Sequence, residues 1–230
     1  MGGFANNAPI VTDGLVFYVD AGNSNSYPGS GGTWSDLVGG NNGSFNNMDD
    51  INNPSNNYNS GNGGSIVFDG TNDSVIVSNI STNDFSGEAT LLCWLACNSN
   101  APSTNQTGIF GWGSHIYRSH YPWTNGLAYF DTFRNARVDS ISLSSLDKTI
   151  PHLLAITTKS GGNWNLYQNT TLVKTTTAES AIVWDNATIG ADGNEGYRFQ
   201  GKFFAFSIYN RELSLAEITQ NYNALKNRFI

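Results

Sequence analysis

The sequence predicts an all-β fold, in which two antiparallel sheets stack as a jelly-roll sandwich and one α-helix ends the chain. Short runs of β-branched and aromatic residues recur along the chain, separated by clusters of Gly, Asn, Asp and Ser, as is typical of strands and turns. Of the 230 residues, 39% are hydrophobic and 13% aromatic, which is enough for one large core and argues against disorder. A helical period of apolar residues appears only near the C-terminus. We therefore expect a β-sandwich domain at residues 14–230, preceded by a short N-terminal arm at residues 1–13.

The C-terminal stretch predicts a strand followed by a helix. The segment from Phe203 to Tyr209 is apolar on both faces, which indicates a strand buried on both sides. Ser214 and Glu217 have the spacing of a capping box, which marks a helix start. An apolar stripe at spacings of three and four then follows one helix face: Leu215, Ile218, Tyr222, Leu225 and Phe229. Because a short isolated helix has only marginal stability, we expect it to dock on a surface that includes the preceding strand.

The remaining strands are predicted from apolar runs between turn signals. They cover residues 15–20, 65–69, 74–77, 88–97, 109–112, 115–118, 127–133, 151–159, 164–168, 172–176 and 187–191. Residues 21–64 are predicted to be a long loop that isolated apolar side chains pin over the core. The turn at residues 70–73 predicts a hairpin between its two flanking strands, and Gly161-Gly162 predicts a second hairpin.

The two cysteines are predicted to be buried free thiols. Cys93 and Cys97 lie four steps apart on one predicted strand, which separates them by about 13 Å. A disulfide requires Cα atoms within about 7 Å, so the two residues do not pair with each other.

Charge and hydropathy exclude two classes of partner. The net charge is −7 and no cluster of Lys and Arg is visible, so we expect no nucleic-acid partner. No stretch is apolar for long enough to span a bilayer, and the N-terminus has neither a basic start nor an apolar segment. We therefore expect no membrane association and no secretory signal.

Several motifs resemble the laminin-G-like, concanavalin A-like lectin–glucanase family, in the version found in structural proteins of large tailed phages, including those of cyanobacteria. They are GLVFYVDAGN, WSDLVGGNNGSF, GGSIVFDGTNDSV, ATLLCW, HLLAITT with NLYQN, ATIGAD and FQGKFFAFSIYNRELSLAEITQNYNALKNRF. The resemblance runs from Gly14 onward and implies a sandwich of two curved antiparallel sheets. Phe204 and Ala205 occupy positions where the family often carries an acidic pair. The fold hosts lectins, hydrolases and passive spacers, so it does not fix the function.

The sequence predicts no catalytic residues and hence a protein that is not an enzyme. Glycoside hydrolysis needs two carboxylates that flank the scissile bond, and the family's glucanases carry them as Glu-x-Asp-x-x-Glu on one strand. That pattern is absent, and the glutamates stand apart in the sequence: Glu88, Glu179, Glu195, Glu212 and Glu217. His115, His120 and His152 lack metal-ligand spacing and a neighbouring nucleophile signature.

Calcium is the predicted metal, at one tight turn. Asp69, Asn72 and Asp73 place three oxygen-bearing side chains within five residues, and calcium binds flexible oxygen cages. Asp192 and Asn194 form a second oxygen-rich turn. In the alternative interpretation, the two aspartates cap the first turn by accepting backbone N–H groups.

The segment at residues 110–123 is the candidate ligand-binding surface. It supplies aromatic faces on which sugar rings can stack, together with side chains that can hydrogen-bond hydroxyls: Trp112, His115, Tyr117, Arg118, His120, Tyr121 and Trp123. Three interpretations remain open, namely a glycan platform, a docking patch for another protein, and simple core packing.

Together these observations predict a virion accessory protein that decorates a phage particle and locates to the virion. It would bind another virion protein of the capsid or tail, together with surface glycans of the host or environment. Its arm would serve in attachment, and virion symmetry allows a homo-oligomer such as a trimer. The alternatives are a soluble carbohydrate-binding lectin and a glycoside hydrolase.

Overall fold

The structure is a computed structural model that describes residues 8–48, 57–78, 80, 85–112, 117–132, 136–142, 146–177, 186–192 and 196–229. The strands, in chain order, are β1 (Leu15–Asp20), β2 (Thr33–Trp34), β3 (Gly43–Asn46), β4 (Tyr58–Asn59), β5 (Ser65–Asp69), β6 (Ser74–Val77), β7 (Glu88–Cys97), β8 (Gly108–Trp112), β9 (Tyr117–His120), β10 (Leu127–Thr132), β11 (Ala136–Ser142), β12 (His152–Lys159), β13 (Asn163–Gln168), β14 (Thr171–Thr177), β15 (Ala187–Ile189) and β16 (Gln200–Tyr209). The helix α1 (Leu215–Leu225) follows the last strand.

The strands form two antiparallel sheets that face each other, which confirms the predicted sandwich. Sheet A has the order β14-β13-β12-β7-β16-β5-β4, and β1 pairs with the second half of β16. Sheet B has the order β11-β10-β9-β8-β15-β6-β3-β2. Within the part of the chain that the structure describes, no helix is both long and apolar enough to cross a membrane.

The predicted hairpin between β5 and β6 is wrong. β5 pairs with β16 in sheet A, whereas β6 pairs with β15 in sheet B. The turn at residues 70–73 therefore carries the chain from one sheet to the other. Gly70 there has φ +79°, and a Cβ atom on it would lie 2.8 Å from Cβ of Gln200. The second predicted hairpin, formed by β12 and β13, is confirmed.

The predicted loop at residues 21–64 contains three short strands among its described residues: β2, β3 and β4. Its aromatic anchors are buried as expected, with Trp34 fully enclosed and Tyr27 only 2% exposed. Phe45 stacks on Tyr27 with ring centroids 5.4 Å apart. These strands, and β11, carry few apolar residues, so the sequence pattern did not reveal them.

The main core lies between the two sheets. Alternate residues of β7, namely Leu91, Cys93, Leu95 and Cys97, join this core. Both cysteines are free and buried, as predicted, and burial raises the pKa of each thiol. The intervening residues of β7, such as Trp94, point away from sheet B into a second apolar layer.

That second layer covers the outer face of sheet A. Trp94 stacks on Tyr222 of α1 at 5.4 Å, and Phe229 contacts both Trp94 and Phe204 at 4.9 Å. The central strands of sheet A are consequently buried on both faces, as predicted for Phe203 to Tyr209.

The helix begins with the predicted capping box. The Ser214 side chain accepts the Glu217 backbone N–H, and the Glu217 carboxylate accepts the Ser214 backbone N–H at 2.9 Å. Arg211 lies 2.6 Å from the same carboxylate. Its hydrogen bond, followed by that of Ser214, lowers the pKa of Glu217 to about 2.

The buried face of α1 differs from the predicted stripe. Leu215 is 49% exposed, whereas Ile218 is fully buried and the polar Asn221 is 3% exposed. Asn221 Oδ1 accepts the backbone N–H of Val11 at 2.8 Å, and the Tyr209 hydroxyl donates to the Val11 carbonyl at 2.9 Å. The helix therefore turns a hydrogen-bonding group inward to hold the N-terminal segment.

The N-terminal segment lies along the helix over residues 9–13. Gln220 Nε2 donates to the Pro9 carbonyl at 2.8 Å, and Arg211 forms an ion pair with Asp13 at 3.0 Å. Residues 1–7 of the predicted arm lie outside the described residues.

The end of the chain is held by a two-pronged ion pair. The Arg228 guanidinium donates to the Asp20 carboxylate at 2.6 and 2.8 Å, and to the Gly63 carbonyl at 2.9 Å. Asp20 is only 4% exposed, so the pair is partly desolvated. These bonds tie the C-terminus to β1 and to the turn at residues 61–63.

We predict that two aliphatic substitutions on α1 differ sharply in effect. Ile218→Ala leaves a cavity against sheet A and lowers the free energy of unfolding by about 2–5 kcal/mol. Leu215→Ala, the matched control on the exposed face, changes it by about 0.5 kcal/mol or less. Urea denaturation of both variants measures the difference, and equal losses would contradict the docked orientation of the helix.

Candidate functional site

Four aromatic rings come together beside the end of β9. His120 lies between Trp123, at a centroid distance of 5.0 Å, and Tyr197, at 4.8 Å. Trp123 also contacts Tyr197 at 5.6 Å and Tyr129 at 5.9 Å. We call these four residues the aromatic patch.

The turn between β9 and β10 fixes Trp123. Its backbone N–H donates to the Leu127 carbonyl at 2.7 Å, and the Leu127 N–H donates to Asn125 Oδ1 at 3.0 Å. Asn125 Nδ2 also donates to the Tyr129 hydroxyl at 2.9 Å. Tyr129 and His120 are register partners on β10 and β9, which places both rings on the same face of sheet B.

Tyr197 reaches the patch from a distant part of the chain. It forms two hydrogen bonds with Asp192, whose backbone N–H donates to the Tyr197 carbonyl at 3.1 Å and whose side-chain Oδ1 accepts the Tyr197 N–H at 3.4 Å. The next residue, Arg198, forms an isolated bridge with Ala191 and donates its N–H to the Asn105 carbonyl at 2.8 Å. Tyr197 was not among the predicted ligand-binding residues, because nothing in the local sequence pattern links this turn to β9.

The patch combines a buried imidazole ring with partly exposed aromatic rings. His120 is 3% exposed and its Nδ1 lies 3.2 Å from the Thr107 hydroxyl, while Tyr129 is 9% exposed. Trp123 and Tyr197 are partly exposed, so their rings are accessible from solvent. Rigid aromatic faces bordered by the exposed Thr124 and Asn125 suit the apolar face and the hydroxyls of a sugar ring.

Tyr121, another predicted ligand-binding residue, lies in the core between the sheets and is fully buried. Its hydroxyl is 2.6 Å from His152 Nε2 and accepts Gln168 Nε2 at 3.1 Å. For this residue the core-packing interpretation describes the geometry, because a ligand at the surface does not reach the side chain.

This buried network requires one tautomer of His152. Its Nδ1 lies 2.8 Å from the Ile150 carbonyl, which can only accept, so Nδ1 carries the proton. Nε2 is then free to accept the Tyr121 hydroxyl proton. Desolvation, the largest effect, lowers the pKa of His152 to about 4, which keeps the imidazole neutral as the network demands.

The other predicted ligand-binding residues are not placed by the structure. His115 lies outside the described residues, and so do the side chains of Trp112, Tyr117 and Arg118, whose backbones belong to β8 and β9. Their role in binding stays a prediction.

The candidate calcium turn is held by internal hydrogen bonds. Asp73 accepts the Asp69 N–H at 2.8 Å, and Asp69 accepts the Thr71 N–H at 2.6 Å, while Asn72 is exposed. Among the described residues, no group of three His, Cys, Asp or Glu side chains is arranged to hold a metal ion. The two aspartates thus act as turn caps, and the calcium site stays a prediction.

Two glutamates that are far apart in the sequence meet at one end of sheet A. The Glu212 carboxylate accepts Thr157 Oγ1 and Asn165 Nδ2, both at 3.2 Å, and the Glu212 N–H donates to the Glu88 carboxylate at 3.4 Å. Lys159 lies 2.7 Å from Glu88 and lowers the pKa of its carboxyl. Glu88 and Glu212 stand apart in the sequence, as noted, but the fold brings them into contact.

A match to a known protein family agrees with the observed fold. Residues 69–219 match the family Laminin_G_3 of the concanavalin A-like lectin/glucanases superfamily. This match covers more than half of the chain, so the protein belongs to that family. A comparison with curated proteins found no match.

Solved structures with the same fold include enzymes and binding domains. A Trypanosoma rangeli sialidase in complex with the inhibitor DANA is similar at a TM-score of 0.69 and 14% identity, over 98% of this chain and 35% of the sialidase. The binding domain of botulinum neurotoxin DC in complex with SialylT is similar at 0.62 and 16% identity, over 92% of this chain and 51% of that one. The same domain in complex with rat synaptotagmin II gives 0.63 and 16% identity, over 92% and 52%. The chain thus spans about a third to a half of these proteins, and the likeness is one of fold.

The prediction that the chain is not an enzyme is contradicted by these comparisons. Structures of the same fold include sialidases, one of them trapped as a covalent intermediate with 2,3-difluorosialic acid. The absence of the glucanase motif therefore does not exclude glycoside hydrolysis.

We predict that His152 makes the stability of the fold sensitive to mild acid. The unfolded chain takes up the His152 proton below pH 6.5, its ordinary pKa, but the folded protein does so only near pH 4. Stability is therefore lost as the pH falls from 6.5 to 4, lowering the melting temperature by about 5 °C or more.

His152→Gln should remove this component of the pH dependence, because no imidazole remains to be protonated in the unfolded chain. Tyr121→Phe, which keeps the imidazole, should retain it. Thermal denaturation of the three proteins between pH 7 and pH 4 provides the measurement. Parallel curves for the parent and His152→Gln would show that His152 is not the responsible group.

Proposed function

We propose that this chain is a carbohydrate-recognition domain that binds glycans through the aromatic patch. The single observation that carries the proposal is the grouping of His120, Trp123, Tyr129 and Tyr197, drawn from three chain segments, with two rings partly exposed. Core packing alone does not require Trp123 and Tyr197 to remain at the surface. Each ring is instead held at a turn, where it can meet a ligand.

The patch is preorganised for stacking. The backbone bonds around Trp123 and Tyr197 fix both turns, and His120 packs in a T-shaped arrangement against both rings, at interplanar angles of 71° and 79°. Little side-chain freedom remains to be lost on binding, which favours affinity for a weakly held ligand such as a sugar.

The comparisons support this class of ligand. One similar structure is a neurotoxin binding domain in complex with SialylT, and another is a sialidase in complex with sialic acid. SialylT and sialic acid are ligands of the similar proteins. For this chain we propose only that the ligand is a carbohydrate.

We further propose that the domain acts on a virion, where it would bind another virion protein as well as glycans. This placement rests on the motifs from GLVFYVDAGN to the C-terminal helix that resemble phage structural proteins. A glycan array without hits would favour the role in particle structure, whereas sharp hits favour recognition of glycans.

We predict that Trp123→Ala weakens glycan binding by about tenfold or more in titration, because a stacking ring is lost. On a glycan array this loss should remove the hits. Tyr197→Ala should act similarly. Tyr197→Phe, the matched control, retains the ring and should retain binding. The array is read with calcium and with a chelator, which also tests the predicted calcium dependence.

Unchanged hits for Trp123→Ala, with its melting temperature equal to that of the parent, would refute the patch as the binding site. Loss of binding by Tyr197→Phe as well as Tyr197→Ala would show that the hydroxyl, rather than the ring face, makes the contact.

Glycoside hydrolysis is the second candidate function, favoured by the meeting of Glu88 and Glu212 and by the sialidases of the same fold. We predict that, if the pair is catalytic, incubation with polysaccharides and sialylated oligosaccharides releases reducing ends, and that Glu212→Gln abolishes the release. An equal signal from Glu212→Gln, or no release by the parent, removes this pair as the catalytic site.

A further inference from the structure

We propose that a second site, separate from the aromatic patch, binds a single acidic sugar ring at the open end of sheet A. A pocket of about 220 Å³ lies there on the outer face of the sheet. The residues that line it include Asn62, Asn98, Thr149, Pro151, Lys202 and Phe204. We refer to it as the Lys202 pocket.

The floor of the pocket is built by β16 and β7. Gly201 is required between them, because a Cβ atom on it would lie 2.3 Å from the Ala96 carbonyl oxygen. Lys202 is the register partner of Ala96, and both line the pocket with Phe204. The close approach of the two backbones therefore fixes the backbone position of Lys202.

The walls come from three further segments that are each held in place. Asn98 donates its backbone N–H to the Gln200 carbonyl at 2.9 Å and its Nδ2 to Gln200 Oε1 at 3.0 Å. Asn62 belongs to the turn that Arg228 anchors through the Gly63 carbonyl. Thr149 and Pro151 lie just before β12. The pocket is thus a formed feature of the fold.

The charge of the pocket is set by Lys202. Among the described residues, the Lys202 ammonium has no carboxylate or hydrogen-bond acceptor as a partner, whereas the neighbouring Arg228 is paired with Asp20. Asp147, near the Thr149 wall, already accepts Thr149 Oγ1 at 2.7 Å and Asn100 Nδ2 at 3.1 Å. In a chain of net charge −7, an uncompensated cation in a concavity marks a site for an anion.

The residues that line the pocket determine which kind of anion fits it. The Lys202 ammonium offers charge-assisted hydrogen bonds to a carboxylate. The amides of Asn62 and Asn98 can donate to and accept from hydroxyls, and Pro151 with Phe204 offers an apolar contact. The volume is below the about 300–1,000 Å³ of sites for drug-sized ligands, which suits one ring. A monosaccharide that carries a carboxylate satisfies all of these features.

This site does not depend on the proposed function of the aromatic patch. The Lys202 pocket lies on sheet A, and the patch lies against sheet B. Substitutions in one are therefore expected to leave the other unchanged, which keeps the two proposals separately testable.

The test titrates the full chain with D-glucuronate and N-acetylneuraminate, and with neutral D-glucose, while NMR follows the amides of residues 96–98 and 201–204. We expect saturable binding of at least one acidic sugar in the millimolar range and little response to glucose. Lys202→Met should weaken the binding by about tenfold or more, because the charged donor is lost. Lys202→Arg should retain it.

Lys174→Met, on the edge strand β14, is the charge-matched control and should bind as the parent does. Equal binding by Lys202→Met, equal response to glucose, or no saturable response to either acidic sugar would each overturn the proposal. Trp123→Ala should leave these titrations unchanged, so that failure of the patch and failure of the pocket are distinguishable.

Discussion

The structure depends on covering the outer face of sheet A. The strands β7 and β16 carry large apolar groups on both faces, and only one face can pack against sheet B. Without a cover, groups such as Trp94 and Phe204 would be exposed to water at a cost of about 1.5–3 kcal/mol for each side chain. The helix α1, Phe229 and the N-terminal segment provide that cover.

The cover is fixed by polar contacts as well as by apolar ones. Asn221 holds Val11, and Arg228 holds Asp20, so the two ends of the chain are joined to the same sheet. The bond from the Val11 N–H to the buried Asn221 Oδ1 specifies how the helix is rotated, since turning the helix would break it. This explains why the exposed side of α1 carries Leu215, although the apolar period includes it.

The same arrangement positions the two candidate ligand sites. The helix occupies the middle of the outer face of sheet A, and the Lys202 pocket lies at an end of that face. The aromatic patch lies against the other sheet, at turns joined to β9, β10 and β15. Recognition surfaces built from turns on a rigid sandwich are a common way for one fold to acquire different ligands.

Local sequence patterns correctly predicted the structural features that short-range interactions determine. The capping box of α1, the double burial of β16 and the free thiols of β7 all follow from short-range spacing, and the structure confirms them. The partner of each strand does not follow from such spacing, which is why the turn at residues 70–73 suggested a hairpin but instead connects the two sheets.

The candidate site was predictable only in part for the same reason. His120 and Trp123 were found from a single aromatic segment, whereas Tyr197 joins them through the fold alone. Tyr121 belongs to the same segment but points into the core, because it directly follows His120 at the end of β9 and consecutive residues of an extended chain face opposite sides. No local sequence pattern identifies Lys202 either, because its role depends on described neighbours from distant segments that offer its ammonium no partner.

Mapping amide chemical shifts while a neutral glycan, without a carboxylate for the Lys202 pocket, is titrated into the protein tests the central claim most directly. Recognition by the aromatic patch predicts that the shifts concentrate at residues 123–129 and around Tyr197, with the amides of α1 unmoved. Shifts confined to the outer face of sheet A, with none near Trp123, would contradict the account.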